Sequence, residues 1–572
     1  MGKNQKSRQK QNRMAEWWDI LPLILMVTVE PLVAVKQKVS TYLGQFPWFP
    51  EDGYQDDYFM YGKMIVLLIL SIWSLVIMLD KSIIRRKKRA IEKRWIALGV
   101  YGFLVIISTV SSIDKNLSIK GMWQQYETVW TLLGYLVTVF AAFWLAETEK
   151  QRKILLLAAC AGAVVEVIPG LLQMVGKDIW GNKSRKVYMT LYNPNYAAVY
   201  IILVLPLVLV AVMLVEKKWQ KAMMTLVAIL LVACLIGTRS RTGIAVLVML
   251  AVVLAICLCP GKKKLLAILL GVTIPVIALT AVGEPGRRHL RRGLEHSMTK
   301  IEEYKFQDIH ADGGRVYFRY LGKEIWLDMT AQDGELILTA VDEQDQSLPM
   351  DWNDAEQCWQ ITEEPFTECK FTLTYQDGIG ILCINKSGAD WNFAKKGMHG
   401  SYGYVTRFGK INTIEEAPAV LKGYERALSG RGYIWGRTIP LLSKHMLLGT
   451  GPDTFIEAFP QNDYVKRYNT SSAMYNEIPS KAHSMYLQSA LQTGVLSVIC
   501  LLVFWLWYLK DSISLYLLQK KGDWIGLACA VSVTGYLLMG VMNDSNLATA
   551  PVFWCILGLG LSVNSGKRES ML

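Results

Sequence analysis

Charge is scarce in this chain: only 19% of its 572 residues are Asp, Glu, Lys or Arg, against 52% hydrophobic residues, and the mean hydropathy is +0.25. That composition is too apolar for an ordinary water-soluble enzyme and places the chain among integral membrane proteins. The sequence also lacks a phosphate-binding glycine loop, paired acids spaced for a divalent cation, an HExxH helix and a GxSxG elbow. Cytosolic nucleotide chemistry and metal-assisted hydrolysis therefore have no support in it. Its ten cysteines form no CxxC pair and no Cys/His cluster at ligand spacing, which argues against a structural zinc site. Cys358, Cys369 and Cys383 fall in a polar stretch, and an odd number there argues against a complete disulfide framework. No repeat of fixed period is evident. No cofactor and no metal are expected.

What the chain has is long apolar runs. Stretches able to cross about 30 Å of hydrocarbon occur near residues 20–36, 59–79, 95–113, 128–146, 153–175, 196–215, 219–236, 243–259, 264–282, 484–509, 523–541 and 546–564, or about twelve spans. The formal charge of +13 does not point to nucleic acid, because Lys and Arg fall in short clusters between apolar runs, as topology determinants do. With the chain started inside, the loops at 81–94, 149–153, 216–221, 260–264 and 510–523 and the C-terminal GKRES are all basic. The alternate loops include the acidic EDGYQDD at 51–57, the large segment at about 283–483 and the NDSN turn at 543–546; apart from that large segment, whose charge hardly counts, positive excess is confined to 176–189 and the GTRSRTG turn at 237–243. Both termini are thus expected in the cytoplasm. The run from Ile20 ends in Glu30-Pro31 rather than a small-residue cleavage site, which predicts a retained first span.

Between about 284 and 420 the pattern changes to short alternating runs such as RVYFRYLG and FTLTYQD, separated by DG, NDA and KSG turns, the signature of a small antiparallel β domain. The expected organisation is a mainly α polytopic protein: spans one to nine within 1–283, an extracellular β-rich insertion at 284–420, an extracellular helical segment at 421–483, and spans ten to twelve within 484–572. Two helices are expected in the third part, EEAPAVLKGYERALSGRG ended by Gly430 and YIWGRTIPLLSKHMLLG ended by Gly449.

Few residues could carry chemistry. Of six histidines, His483 stands one or two residues before an apolar run on the face expected outside, where imidazole could take a proton from a hydroxyl; a capping or interfacial role is the plainer alternative. Arg239 and Arg241 flank Ser240 in a short turn between two apolar spans, and forked guanidinium donors suit phosphate oxygens. Snorkelling from helix ends competes with that reading, although positive charge on an outer loop opposes the topology bias. Arg431 and Arg437 lie on the helix leading back to the membrane and could equally be surface charges. Asn193-Pro194-Asn195 opens a span between Tyr192 and Tyr196, either as a binding element or as an N-cap with an aromatic belt. Glu30 and Glu166 are acids inside apolar runs, functional by default or turned into the bundle interior.

Five segments, taken in order, carry a resemblance: STVSSIDKNLSIKGMWQQYETVWTLLGY, TLYNPNYAAVYIILVLPL, GTRSRTGIAVLVM, GRGYIWGRTIPLLSKHMLLGTGPDTF and AHSMYLQSALQTGVLSVICLL. The ordered set resembles the bacterial O-antigen ligase and O-antigen polymerase superfamily over most of the membrane portion, but not over the β region. That resemblance implies a multi-pass glycosyltransferase of the cytoplasmic membrane. On the outer face it would move a glycan from undecaprenyl pyrophosphate to a hydroxyl of a glycan, lipid, protein or cell-wall acceptor, among membrane lipids and without a metal. By motif, Arg241 and Arg431 would hold the pyrophosphate with Arg239 as helper, and His483 would activate or position the acceptor. Arg437, Asn193, Asn195, Tyr126 and Tyr486 would line the substrate. The family usually follows this histidine with asparagine, whereas here the next residue is Ser484. The competing class is a transporter or flippase of lipid-linked glycans, which about twelve spans and two intramembrane acids would suit. Against it, the arginines and the histidine gather at the expected outer surface, and the two halves of the chain do not resemble each other.

Overall fold

The computed structural model describes residues 17–84, 91–258, 299–332, 335–376, 378–386, 388–397, 399–519 and 523–569. The expected ninth span at 264–282 lies outside the described residues. The apolar runs fold as helices, since a segment in hydrocarbon must satisfy its backbone polar groups internally. In chain order these are α1 (Leu21–Thr28), α2 (Met60–Leu79), α3 (Trp95–Val110), α4 (Val129–Leu145), α5 (Glu149–Met174), α6 (Pro194–Leu214), α7 (Lys218–Thr238), α8 (Arg241–Leu258), α9 (Arg431–Leu441), α10 (Met485–Thr493), α11 (Val495–Ile513), α12 (Trp524–Met539) and α13 (Ala550–Glu569). Five helical stretches are long and apolar enough to cross a membrane: 60–84, 149–174, 194–214, 218–238 and 495–518. Those at 95–110, 129–145, 241–255 and 524–539 are apolar but shorter. Helix α6 is the centre of the bundle, with every side chain from Tyr196 to Leu205 buried, as expected of a helix apolar on all sides.

Three expectations are corrected. The run at 20–36 forms a helix only over Leu21–Thr28, about 12 Å long at 1.5 Å per residue and less than half the hydrocarbon thickness. Pro31, which has no N–H and cannot continue a helix, stands just beyond it, and the chain leaves into β1 (Gln37–Ser40), paired antiparallel with β2 (Tyr54–Asp57). The run at 484–509 is broken at Gly494, whose φ is +94° and where a Cβ would lie 2.4 Å from the Leu447 carbonyl oxygen; only glycine tolerates both. The His445 and Met446 carbonyls accept from the N–H groups of Val495 (3.2 Å) and Leu496 (3.0 Å), so the passing chain caps α11. Finally, the helix expected before Gly430 does not form: residues 413–419 are irregular, 420–426 are turns and bends, and a 3-10 turn follows at Ala427–Gly430. Pro418 and the left-handed Gly423 (φ +85°) break the pattern. Gly430, also left-handed, precedes α9 instead of ending a helix, and α9 stops at Leu441 with one 3-10 turn after it, short of Gly449.

The loops meet one another in two sets. In the first set Lys81 meets Asp19 (2.7 Å), Arg94 meets Asp511 (2.6 Å) and Arg568 meets Glu92 (3.2 Å). These are loops expected in the cytoplasm. In the second set Ser545 donates to Glu127 (2.6 Å), Lys481 to Tyr196 (2.8 Å), Gln125 to the Ser480 carbonyl (3.2 Å) and the Met122 N–H to Asp453 (2.6 Å). All of these belong to segments expected outside.

The β region is two antiparallel meanders. Strands β3 (Phe306–Asp312), β4 (Arg315–Tyr320), β5 (Lys323–Gln332) and β6 (Glu335–Val341) form a four-stranded sheet. Strands β7 (Met350–Asn353), β8 (Cys358–Ile361), β9 (Lys370–Gln376), β10 (Ile379–Lys386), β11 (Ala389–Lys396), β12 (Tyr402–Val405) and β13 (Ile411–Asn412) form a seven-stranded one. Alternate residues of both sheets, including Phe318, Leu327, Phe371 and Trp391, share one core with Tyr464 and Val465 of the helix Tyr464–Thr470. Cys358, Cys369 and Cys383 are unpaired thiols.

Candidate active site

His483 sits where α10 leaves the segment that follows the β region, and its backbone is unusual: φ is +53°, a value few non-glycine residues adopt. Neighbouring groups hold it there. The Ala482 N–H donates to Gln488 Oε1 at 2.7 Å, the Ala482 carbonyl accepts from Trp435 Nε1 at 2.9 Å, and the Met485 N–H is shared between the Gly540 and Asn543 carbonyls, each at 2.8 Å. Strain kept in place by this many contacts is a common mark of a working site.

The imidazole is about half exposed, and its Nδ1 lies 3.0 Å from Oδ2 of Asp544, whose side chain is only 3% exposed. Burial alone would raise the carboxyl's pKa, but His483, Lys481 and Arg431 outweigh it and hold Asp544 below its ordinary value. With Asp544 a carboxylate, Nδ1–H donates to it, and in the neutral imidazole Nε2 is then the acceptor. This is the base-and-orienter arrangement of acid–base catalysis. Asp544 comes from the 543–546 turn. Its acidity beside a predicted outer boundary was the one available signal.

Cationic groups surround the pair. Arg431, the first residue of α9, donates from Nε to the Met542 carbonyl at 3.1 Å, two residues from Asp544; burial lowers its pKa and the Asp544 charge opposes that. Lys481, unremarked in the sequence, donates to Tyr196 at 2.8 Å, with its nitrogen 5.4 Å from the ring centre. Beneath the turn, Glu127 accepts from Ser545 at 2.6 Å and Tyr135 at 3.1 Å. Burial raises the Glu127 pKa against the pull of Ser545, Lys481 and Tyr135.

The other predicted residues are distributed unevenly. Arg239 is exposed and left-handed (φ +58°) at the end of α7, and Arg241 opens α8. Their turn packs on α6, where a Cβ at Gly243 would lie 3.0 Å from Ala198. That contact is two residues from Tyr196, the partner of Lys481, so the arginine turn and His483 share one end of the bundle. Asn193 is the N-cap of α6, accepting from the Asn195 N–H at 2.8 Å. Tyr126 is buried with a left-handed backbone (φ +54°), and Tyr486 points down the bundle to the Leu537 carbonyl at 2.8 Å. Arg437 is placed elsewhere: it is 1% exposed, its Nε is 2.8 Å from Asp463 and its Nη1 3.4 Å from Glu425. With both carboxylates buried beside it, its guanidinium ties α9 to its neighbours. Glu30 and Glu166 do not reach this site either. They are buried deeper in the bundle with Lys63, whose Nζ donates to the carbonyls of Val33 and Thr190; Thr190 bonds Glu166 through both its N–H and its hydroxyl.

Among the described residues no group of three or more His, Cys, Asp or Glu is arranged to hold a metal ion. No curated protein and no solved structure matches the chain. Residues 397–502, the stretch that carries Arg431 and His483, match the family model for O-antigen ligase. That match covers less than a fifth of the chain, and it makes this stretch similar to O-antigen ligases.

Proposed function

We propose that this protein is a glycosyltransferase of the cytoplasmic membrane. On the outer face it would move a glycan from undecaprenyl pyrophosphate to an acceptor hydroxyl, within a bundle of about twelve spans whose termini are cytoplasmic. The observation that carries the reading is the 3.0 Å contact of His483 with the buried carboxylate of Asp544. The acceptor hydroxyl gives its proton to His483 Nε2 while its oxygen bonds to the anomeric carbon. The bond from that carbon to the pyrophosphate oxygen breaks, and the leaving group carries the electron pair away. Asp544 stabilises the imidazolium, and Arg431, Lys481 and the turn of Arg239 and Arg241 supply positive charge for the departing pyrophosphate. A preorganised donor of this kind is worth roughly 2.7–4 kcal/mol at the transition state. A single displacement inverts the anomeric centre and needs no metal.

The test is transfer from an undecaprenyl-pyrophosphate glycan by the wild type and by His483→Ala, both shown to reach the membrane and both assayed with EDTA. Transfer lost in the variant and kept by the chelated wild type is expected; normal transfer by His483→Ala refutes the reading. Product length separates single addition by a ligase from the ladder of a polymerase. One observation favours a second reading, a flippase of lipid-linked glycan: Glu30, Lys63 and Glu166 are all fully buried among the helices, and such groups often mark a transport path. Translocation of a lipid-linked glycan across liposomes, with no transfer, would support it.

A further inference from the structure

A cavity of about 360 Å³ lies where the seven-stranded sheet meets the helix Tyr464–Thr470 and the chain that follows it, within the range of small-molecule sites. Rings from Trp48, Tyr404, Tyr464, Tyr468 and Tyr475 line it. Such rings offer flat apolar faces with polar edges, a surface suited to the C–H face and hydroxyl rim of a sugar. Two guanidinium groups enter the same space. Arg467 is 2% exposed; its terminal nitrogens donate to Gln461 and to the Glu477 carbonyl, and its buried Nε has no partner. Arg407, exposed at the rim, donates to the Asn476 carbonyl. Neither forms an ion pair with a carboxylate among the described residues. Burial and the like charge of Arg467 push the Arg407 pKa down. The acids on the wall are Asp390, held by Asn385 at 2.6 Å, and the exposed Glu477.

The cavity is also close to His483 along the chain. Ile478 lines it, and His483 is five residues on, so at 3.3–3.6 Å per extended residue their Cα atoms are at most about 18 Å apart. We propose that this cavity is a saccharide subsite, in which the aromatic walls stack on a sugar ring and the paired arginines bind an acidic substituent of it. The inference rests on the glycosyl-transfer reading for what the bound saccharide is, since it would be part of a chain also engaged at His483. The charge-assisted fork of an arginine on a carboxylate suits one buried and one rim guanidinium that form no ion pair at contact distance among the described residues.

The experiment is a titration of the purified full-length protein in detergent with tetragalacturonate as the acidic probe and maltotetraose as the neutral one. Tetragalacturonate is expected to bind wild type and His483→Ala equally, and at least tenfold more weakly to Arg407→Gln and to Asn392→Leu, a second change in the cavity wall. Maltotetraose is expected to bind at least tenfold more weakly than tetragalacturonate. No saturable binding, unchanged binding by both cavity variants, or equal binding of the two probes would overturn the proposal. Loss of binding in His483→Ala alone would place the sugar at His483 and overturn it too. Failure of transfer in His483→Ala with binding intact keeps the two readings separate.

Discussion

Asp544→Asn preserves the shape of the side chain and removes its charge, so it isolates what the carboxylate does for His483. The two groups are 3.0 Å apart at the nitrogen and oxygen, which puts their charge centres about 4 Å apart when the imidazole is protonated. Their attraction is then about 1 kcal/mol at the dielectric of water and about 4 kcal/mol at an effective value of 20. Asp544 is 3% exposed but His483 is 46% exposed, so water screens part of it and about 1–3 kcal/mol is expected. That corresponds to a loss of roughly 5- to 150-fold in rate. The interaction grows only as the imidazole takes the proton, so the loss should fall on kcat and not on KM. The assay is initial-rate transfer over a range of donor and acceptor concentrations, with thermal unfolding recorded in parallel because Lys481 and Arg431 lose the same partner. A kcat within twofold of wild type, or a change confined to KM, would refute the role given to Asp544.

Arg437→Ala leaves Asp463 and Glu425 buried without their cation, and stability should fall by about 3–5 kcal/mol, seen as a lowered thermal midpoint; kcat per folded molecule should not change if the residue has no contact with substrate. Asp453, with its carboxyl buried against the Met122 N–H, has its pKa raised by burial from 3.8 to about 7, against the pull of that hydrogen bond. The folded state then keeps a proton that the unfolded chain gives up, so stability is predicted to decline as pH rises from about 4 to about 7. Asp453→Asn should flatten that slope in thermal midpoints measured across the interval, and an unaltered slope would show that another group causes it.

Much of the architecture was legible because hydropathy and loop charge are local properties. Apolar runs such as 129–145 and 495–513 met no competing signal and became helices. The alternating runs after Phe306 became strands, because a period of two has one structural solution when one face is buried. The breaks at Gly494 and after Thr28 were harder to read. A glycine in an apolar run is tolerated in a helix until another backbone comes as close as the Leu447 carbonyl does, and that approach depends on residues far away in the chain.

The sequence by itself determined the membrane class, the segregation of basic loops, the β region and the prominence of His483, since each follows from composition or from a short ordered motif. Only the tertiary structure decided which charges meet. Asp544 is 61 residues from His483, Arg437 turned to Asp463 and Glu425, and Lys481 reached across to Tyr196. The energy of a charge depends on its distance to other charges and on its burial, and neither quantity exists until helices distant in the chain have packed.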